Sequence, residues 1–449
     1  MEGILILFIA GIFALFFGVA KKSTLVFCSA LAGLIGAALT QCYDITFLSE
    51  KYRLLEYSKE GQGFYYLSLL LCGLVVVSAQ SSFNKDASTK GDLTGLLLFS
   101  LTGGLILIGF KDLFMFFLGL EILSIPLYVM AGSNRKSAQS SEAALKYFYL
   151  GSFATAIFLF GVALIYGTMG RFELDHIALI IERYHSELPS MFYVGVLFVL
   201  VAMLFKVGAF PFHFWVADVY QGTPSIFMSY MSSVVKLVGI YAFYRLFSGI
   251  FVHMDDFWST LLVLSIGVSM FAGNLSALVQ TKFKRLMAYS SISNGAYALM
   301  AVLAMQQADG LLIYMIGYGV SVVILMTINE AINDEEDELS KWNGAGKNVL
   351  MGIAGTLALL SVAGIPPLTG FFGKFMLFSD AFAEHKWLVF LAILNSVIGA
   401  FIYLRIILGL LGFQTTSEAQ AVALPISKQV VLVASSLVLL FGWISLYWM

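Results

Sequence analysis

Five charged residues sit deep inside apolar stretches of this chain: Glu121 in FFLGLEILSIPLYVMAG, Lys146 in SEAALKYFYLGSF, Lys206 in LFKVGAFPFHFWVADVYQGTP, Lys236 in MSSVVKLVGIY and Lys374 in GIPPLTGFFGKF. A carboxylate and four amines are groups that take up and release protons. A charge at the centre of a membrane helix costs about 2.5–3.5 kcal/mol, so five left unpaired cost on the order of 12–17 kcal/mol. They must therefore face one another, or water, or both. Glu121 and Lys146 fall on neighbouring spans in the same half of the membrane. An ion pair between them is expected, worth about 4 kcal/mol at 4 Å and an effective dielectric near 20, with Lys206 as a competitor for the carboxylate. Lys206 and Lys236 lie near mid-membrane on adjacent spans, where the ammonium is the costly form. Read together, the five make a proton relay across the midplane. The structural alternatives are a static Glu121–Lys146 bridge, capture of Lys206 and Lys236 by backbone carbonyls freed at Pro211, and snorkelling of Lys374 to an outer interface. His213 and Asp218 flank the proline and form a secondary proton path. Tyr314, Tyr318 and Asn294 read as helix packing, and Arg245 and Arg405 lie near helix ends.

The elements that position these groups are membrane helices. Of 449 residues, 60% are hydrophobic and 12% charged, far from the composition of a soluble domain, and mean hydropathy is +0.90. Fourteen spans are expected, near 4–20, 23–40, 64–80, 94–110, 112–131, 143–168, 191–220, 225–249, 256–280, 284–305, 309–331, 346–382, 387–412 and 426–448. The fold class is an all-α integral membrane protein; the alternating pattern of a barrel is absent. Spans seven and twelve are too long for one helix and carry Pro211 and Pro366–Pro367. Such breaks persist at membrane depth where protein or a water-lined cavity satisfies the freed backbone. They lie five spans apart, which predicts two inverted five-helix repeats, spans 4–8 and 9–13. The chain reads as one polytopic domain: N-terminal helices 1–90, a first repeat 91–250, an inverted second repeat 251–412, and a C-terminal helix 413–449.

Twelve loop cations (Lys21, Lys22, Lys85, Lys90, Arg135, Lys136, Lys282, Lys284, Arg285, Lys341, Lys347, Lys428) face seven (Lys51, Arg53, Lys59, Lys111, Arg171, Arg183, Lys386) across the membrane. The positive-inside rule puts the first set in the cytoplasm and both termini outside. The opening MEGILILFIAGIFALFFGVAKK reads as a first span rather than a cleaved leader. Cys28, Cys42 and Cys72 have no metal-ligand spacing and the five histidines no haem-like pairing, so no metal and no redox cofactor is expected on this chain. NDEEDELSK, 333–341, reads as a solvated loop. NGAGK, 343–347, fails as a phosphate loop, because Lys341 stands where a glycine is needed and Asn348 where the Ser/Thr is needed.

GLEILSIPLYVMAG (119–132), KYFYLGSFATAIFLFGVALIYG (146–167), FKVGAFPFHFWVADVYQGTP (205–224), QTKFKRLMAYSSISNGAY (280–297) and GIPPLTGFFGKF (364–375) together resemble the subunit N family of bacterial NADH:quinone oxidoreductase (complex I), among the antiporter-like membrane subunits. DVYQG after HFW favours that family over its relatives L and M, and a lysine rather than a glutamate at 374 also argues against M. The resemblance implies that Glu121, Lys146, Lys206, Lys236 and Lys374 belong to a hydrophilic axis that moves protons when quinone is reduced elsewhere. It implies that NADH, FMN, Fe-S clusters and quinone are bound by other subunits. It also implies partners K and M, the lateral helix of L, and a place in the bacterial inner membrane. The chain departs from the family after Thr223, where PSIFMSYMSS replaces a start of the eighth helix that is more usually rich in proline and threonine. Two other readings stay open: a subunit of a multisubunit Na+/H+ antiporter, and a structural subunit that only bridges its neighbours.

Overall fold

A computed structural model describes residues 1–43, 45, 54–82, 87–184, 187–306, 308–332, 337–413 and 423–447. The cations Lys51, Arg53 and Lys85 and residues 333–336 of the acidic run lie outside them. The helices are α1 (Glu2–Val19), α2 (Ser23–Cys42), α3 (Lys59–Ser82), α4 (Ala87–Gly109), α5 (Leu113–Ala131), α6 (Ala138–Met169), α7 (Leu174–Tyr184), α8 (Ser190–Val207) and α9 (Phe214–Gly222). They continue with α10 (Ser225–Tyr230), α11 (Lys236–Tyr244), α12 (Asp255–Leu278), α13 (Phe283–Ala304), α14 (Asp309–Ile332), α15 (Val349–Ala363), α16 (Thr369–Phe382), α17 (Lys386–Leu410) and α18 (Ile426–Phe441). Among the described residues thirteen helical segments are long and apolar enough to cross a membrane. The remaining expected span, the twelfth, is divided into α15 and α16, each too short to cross alone.

Burial follows hydrophobic breadth. The α10–α11 segment, α13 and α14 are buried almost throughout, as expected for helices enclosed by others, and their serines, Asn294 and Lys236 are buried with them. By contrast α6, α12, α17 and α18 each show an apolar outer face, the surface a bilayer would cover. Span eight is not one regular helix: a wide π turn, Met231–Val235, separates α10 from α11. Such turns recur at functional sites.

Two expectations need correction. Between spans six and seven, outside the fourteen expected spans, lies the amphipathic α7, which burial of Leu174, Ile177 and Ile181 pins to the bundle. The acidic run is anchored rather than wholly solvated. Asp337 is buried, and its carboxylate accepts from the Lys284 amide at 2.7 Å and from Asn329 Nδ2 at 3.0 Å. The first turn of α13 has free amides that need acceptors, and Asp337 supplies one.

Candidate functional site

The first break starts where α8 ends at Gly208, whose φ of +72° is a conformation that glycine takes without steric cost. The exposed backbone of Phe210 is met by α12: its N–H donates to Ser269 Oγ at 2.8 Å, and Ser265 Oγ donates to its carbonyl. This is how a neighbouring helix makes a mid-membrane break tolerable. Lys206, in the last turn of α8, donates to Ser124 Oγ on α5. Ser124 lies one turn from Glu121 on the same helix. Glu121 itself accepts from Thr155 Oγ1 on α6 at 2.8 Å. A cavity of about 20 Å³ opens between these helices, with Ser124, Tyr128, Thr155, Lys206 and Trp215 in its wall. That is room for one water.

Lys146 does not pair with Glu121. It binds Asp218 on α9 and Glu142 on its own helix, each at 2.6 Å, and its side chain is 39% exposed. Helix length explains the difference. The 32 residues of α6 span about 48 Å, well beyond a hydrocarbon core of about 30 Å, so Lys146 near one end stands at the interface. Asp218 also takes Arg285 Nη1 at 2.8 Å, and Arg285 reaches Gln221 at 3.0 Å. Arg285 had been counted among the loop cations, and nothing in its local sequence signals the clamp. His213 and Asp218 are not brought together: the ring of His213 stacks on Phe214 and its buried Nδ1 meets no partner among the described residues.

Lys236, just after the wide turn, is buried. It donates to the Ser291 carbonyl and to Ser291 Oγ, the latter at 3.0 Å, and its ammonium packs against Gly295. Lys206 packs along Gly239, one turn beyond Lys236. Lys374 is buried and does not snorkel. From α16 it reaches back to the last carbonyls of α15, Val362 at 2.8 Å and Ala363 at 3.2 Å. The left-handed Gly364 leaves room for its stem, and the Tyr297 ring lies 5.0 Å from the ammonium. The Lys374 ammonium therefore sits at the carbonyl end of the first half-helix, where the helix dipole favours a cation, whereas Lys206, in the last turn of its half-helix, is held by the Ser124 hydroxyl. Lys206 belongs to the half-helix before its break and Lys374 to the half-helix after its own, which is the reversed order of lysine and proline in sequence.

The five expected charges do not face one another as a file. Hydroxyls and carbonyls hold Glu121, Lys206, Lys236 and Lys374, and between Lys236 and Lys374 runs one face of α13. Asn294 Oδ1 accepts from Tyr314 at 2.9 Å, and its Nδ2 donates to Tyr403 at 3.1 Å. Ser290 and Tyr403 hydroxyls meet at 2.6 Å. Tyr297 donates to Asn395 Oδ1 at 2.7 Å, which also accepts from Asn274 at 2.6 Å. Tyr314 and Asn294 thus do more than pack, and Asn395, Asn274 and Tyr403 carry no sequence motif that marks them. Lys428, counted in a loop, is buried at the start of α18. Arg245 and Arg405 donate to the carbonyls of Ile108 and Leu278. Among the described residues no group of three His, Cys, Asp or Glu side chains could hold a metal.

Residues 111–399 match the family described as NADH:quinone oxidoreductase/Mrp antiporter, TM. The chain is 34% identical over 451 residues to NADH-quinone oxidoreductase subunit N of Cytophaga hutchinsonii, with 98% of this chain and 97% of the relative covered. Its structure is similar to a chain of respiratory complex I from Thermus thermophilus, with a TM-score of 0.84 at 29% identity, covering 98% and 97% of the two chains. It shares its fold with a chain of the Mrp complex from Dietzia, with a TM-score of 0.85 at 21% identity, covering 100% and 95%. Buried lysines at two broken helices, the matched residues and end-to-end identity agree: the chain belongs to the NADH:quinone oxidoreductase/Mrp antiporter family of membrane subunits, among its subunit N members.

Proposed function

We propose that this chain is a proton-translocating subunit in the membrane arm of an NADH:quinone oxidoreductase, in the bacterial inner membrane. NADH, FMN, Fe-S clusters and quinone are handled by other subunits, and other membrane-arm subunits, K and M, flank it. The observation that carries this reading is the pair of lysines at the two breaks, Lys206 in the last turn before the first and held by Ser124, and Lys374 held by the last carbonyls before the second, with Lys236 between them. Three buried ammonium groups with hydroxyl or carbonyl partners would be a poor way to stabilise a bundle, and a sound way to hold protons in series. The repeats 91–250 and 251–412 would then supply one break each. The Lys282, Lys284, Arg285 and Lys341 face is cytoplasmic, with both termini outside.

In this mechanism the Asp218 clamp with Lys146 and Arg285 orders the cytoplasmic mouth, and Glu121 sets the charge balance at Lys206. The adjoining cavity, bordered by Lys206 and by Thr155, the partner of Glu121, has room for a linking water. A proton leaving Lys206 passes to Lys236, then along the α13 face to Lys374 and outward. The test is the assembled complex with Lys206→Met or Glu121→Gln, reconstituted in vesicles. The proton-to-electron ratio should fall; an unchanged ratio in a normally assembled variant would refute the relay.

A further inference from the structure

Arg405 carries donors that the helical bundle does not use. It lies in the last two turns of α17 (Lys386–Leu410), and its Nη1 donates at 3.1 Å to the carbonyl of Leu278, the last residue of α12. Its Nε and Nη2 are buried and meet no hydrogen-bond partner among the described residues. Buried polar groups are almost always paired, because leaving one unmet is costly, most of all a charged one. Nε and Nη2 form one edge of the guanidinium, a fork that takes a phosphate or carboxylate through two parallel bonds.

Arg405 borders a cleft of about 450 Å³ that Gln280, Thr281, Glu338, Ser340 and Asn343 also line. Backbone pairing sets the opposite charge into the same wall. The Phe283 N–H donates to the Asp337 carbonyl and the Leu339 N–H to the Thr281 carbonyl, each at 2.8 Å, with Glu338 opposite Lys282 between them. The Glu338 carboxylate accepts from Ser340 Oγ at 3.0 Å. A carboxylate accepts at about four sites, so it can take an ammonium in addition to its neighbours in the chain. The cleft also stands at headgroup depth. The 25 residues of α17 span about 37 Å against a hydrocarbon core of about 30 Å, which places its end in the headgroup layer. Leu275 and Val279 at the end of α12, and Leu404 and Leu408 at the end of α17, are exposed and offer acyl chains an apolar surface.

We propose that this cleft binds the headgroup of a phosphatidylethanolamine lipid, its phosphate on the Nε–Nη2 edge of Arg405 and its primary ammonium on Glu338. Both charges of the zwitterion then meet their opposites. An anionic headgroup without an amine would set a second negative charge against Glu338, and a choline ammonium has no N–H to donate. A carboxylate from a neighbouring subunit would satisfy Arg405 and leave Glu338 opposed. The site uses none of the relay lysines and stands whether or not they carry protons.

The test strips loose lipid from the purified parent complex and from its Arg405→Gln and Glu338→Gln variants, and counts retained lipid by mass spectrometry. Dioleoyl phosphatidylethanolamine, phosphatidylglycerol and phosphatidylcholine are then titrated in detergent, with Tm as the readout. Two of the three guanidinium nitrogens have no partner to lose, so Arg405→Gln should assemble; if it does not, Arg405→Lys, which keeps the charge without the fork, carries the same comparison. Arg405→Gln should bind phosphatidylethanolamine about 10- to 100-fold more weakly than the parent, the scale of a lost charge-assisted contact. Glu338→Gln should lose about tenfold, and with it the preference over phosphatidylcholine. Equal binding of the three lipids by the parent, or parent-like retention by Arg405→Gln, overturns the site. Free O-phosphoethanolamine that raises Tm as far as the lipid does overturns its assignment to a lipid. Loss of a neighbouring subunit from Arg405→Gln, with lipid retention unchanged, gives the fork to a partner's carboxylate and overturns it as well.

Discussion

Gly295→Ala probes the relay without touching an ionisable group. A Cβ at position 295 would lie 3.0 Å from both Cε and Nζ of Lys236. Comfortable contacts between such atoms lie near 3.5–4.0 Å, so the ammonium must withdraw by about 0.5–1 Å. The obstructed atoms are the far end of a flexible side chain, so the helix itself need not move. Alanine also favours a helix interior over glycine by about 1 kcal/mol, so thermal stability should hold or rise. What is lost is the seat on Ser291, a charge-assisted contact worth about 1.5–3 kcal/mol. A misplacement near 1 Å in a transfer step can cost about a hundredfold. The expected result is a fall in pumping of about 10- to 100-fold, with quinone reduction in the presence of an uncoupler near that of the parent. The assay is quinone-driven acidification of vesicles beside uncoupled turnover. Parent-like acidification from a stably assembled Gly295→Ala complex would show that the position of Lys236 on Ser291 is irrelevant to transfer.

Lys374→Met should abolish pumping while preserving assembly, because methionine fills the channel over Gly364 but carries no proton; retained acidification would exclude Lys374 from the path. Asn294→Ala removes a buried amide that serves Tyr314 and Tyr403, and should cost about 1–3 kcal/mol, read as a lowered Tm of the purified complex. Asp337→Ala uncaps α13 and should cost about 1–2 kcal/mol, with faster hydrogen exchange confined to the first turn after Lys282. Arg285→Ala breaks a half-exposed pair with Asp218 and should change stability by less than about 1 kcal/mol; a loss of several kcal/mol would mean that a neighbouring subunit buries the clamp.

The spans and both breaks were legible because they depend on quantities local to the chain. An apolar run must be long enough to cross, and proline removes a donor wherever it stands. Lys206, Lys236 and Lys374 were legible too, since an ammonium in an apolar run is conspicuous. Their partners were not. Ser291 lies 55 residues from Lys236, Ser124 lies 82 from Lys206, and serines are common in every span. Lys146 was misplaced for a related reason: its surroundings look membrane-like, yet its depth depends on how far α6 extends past the bilayer. Lys428 and Asp337 erred the other way, as loop-like residues that tertiary packing buries.

By itself the sequence determined a helical membrane chain, the two points where helices must break, and amines lying within its apolar runs, because hydropathy and backbone chemistry act over a few residues. Only the tertiary structure decided which hydroxyl or carbonyl each amine meets, that Asp218 rather than Glu121 takes Lys146, and that α13 lies between the two breaks. Those outcomes depend on how helices distant in sequence are packed, and a side chain held by a neighbour's serine leaves no mark in its own stretch of chain.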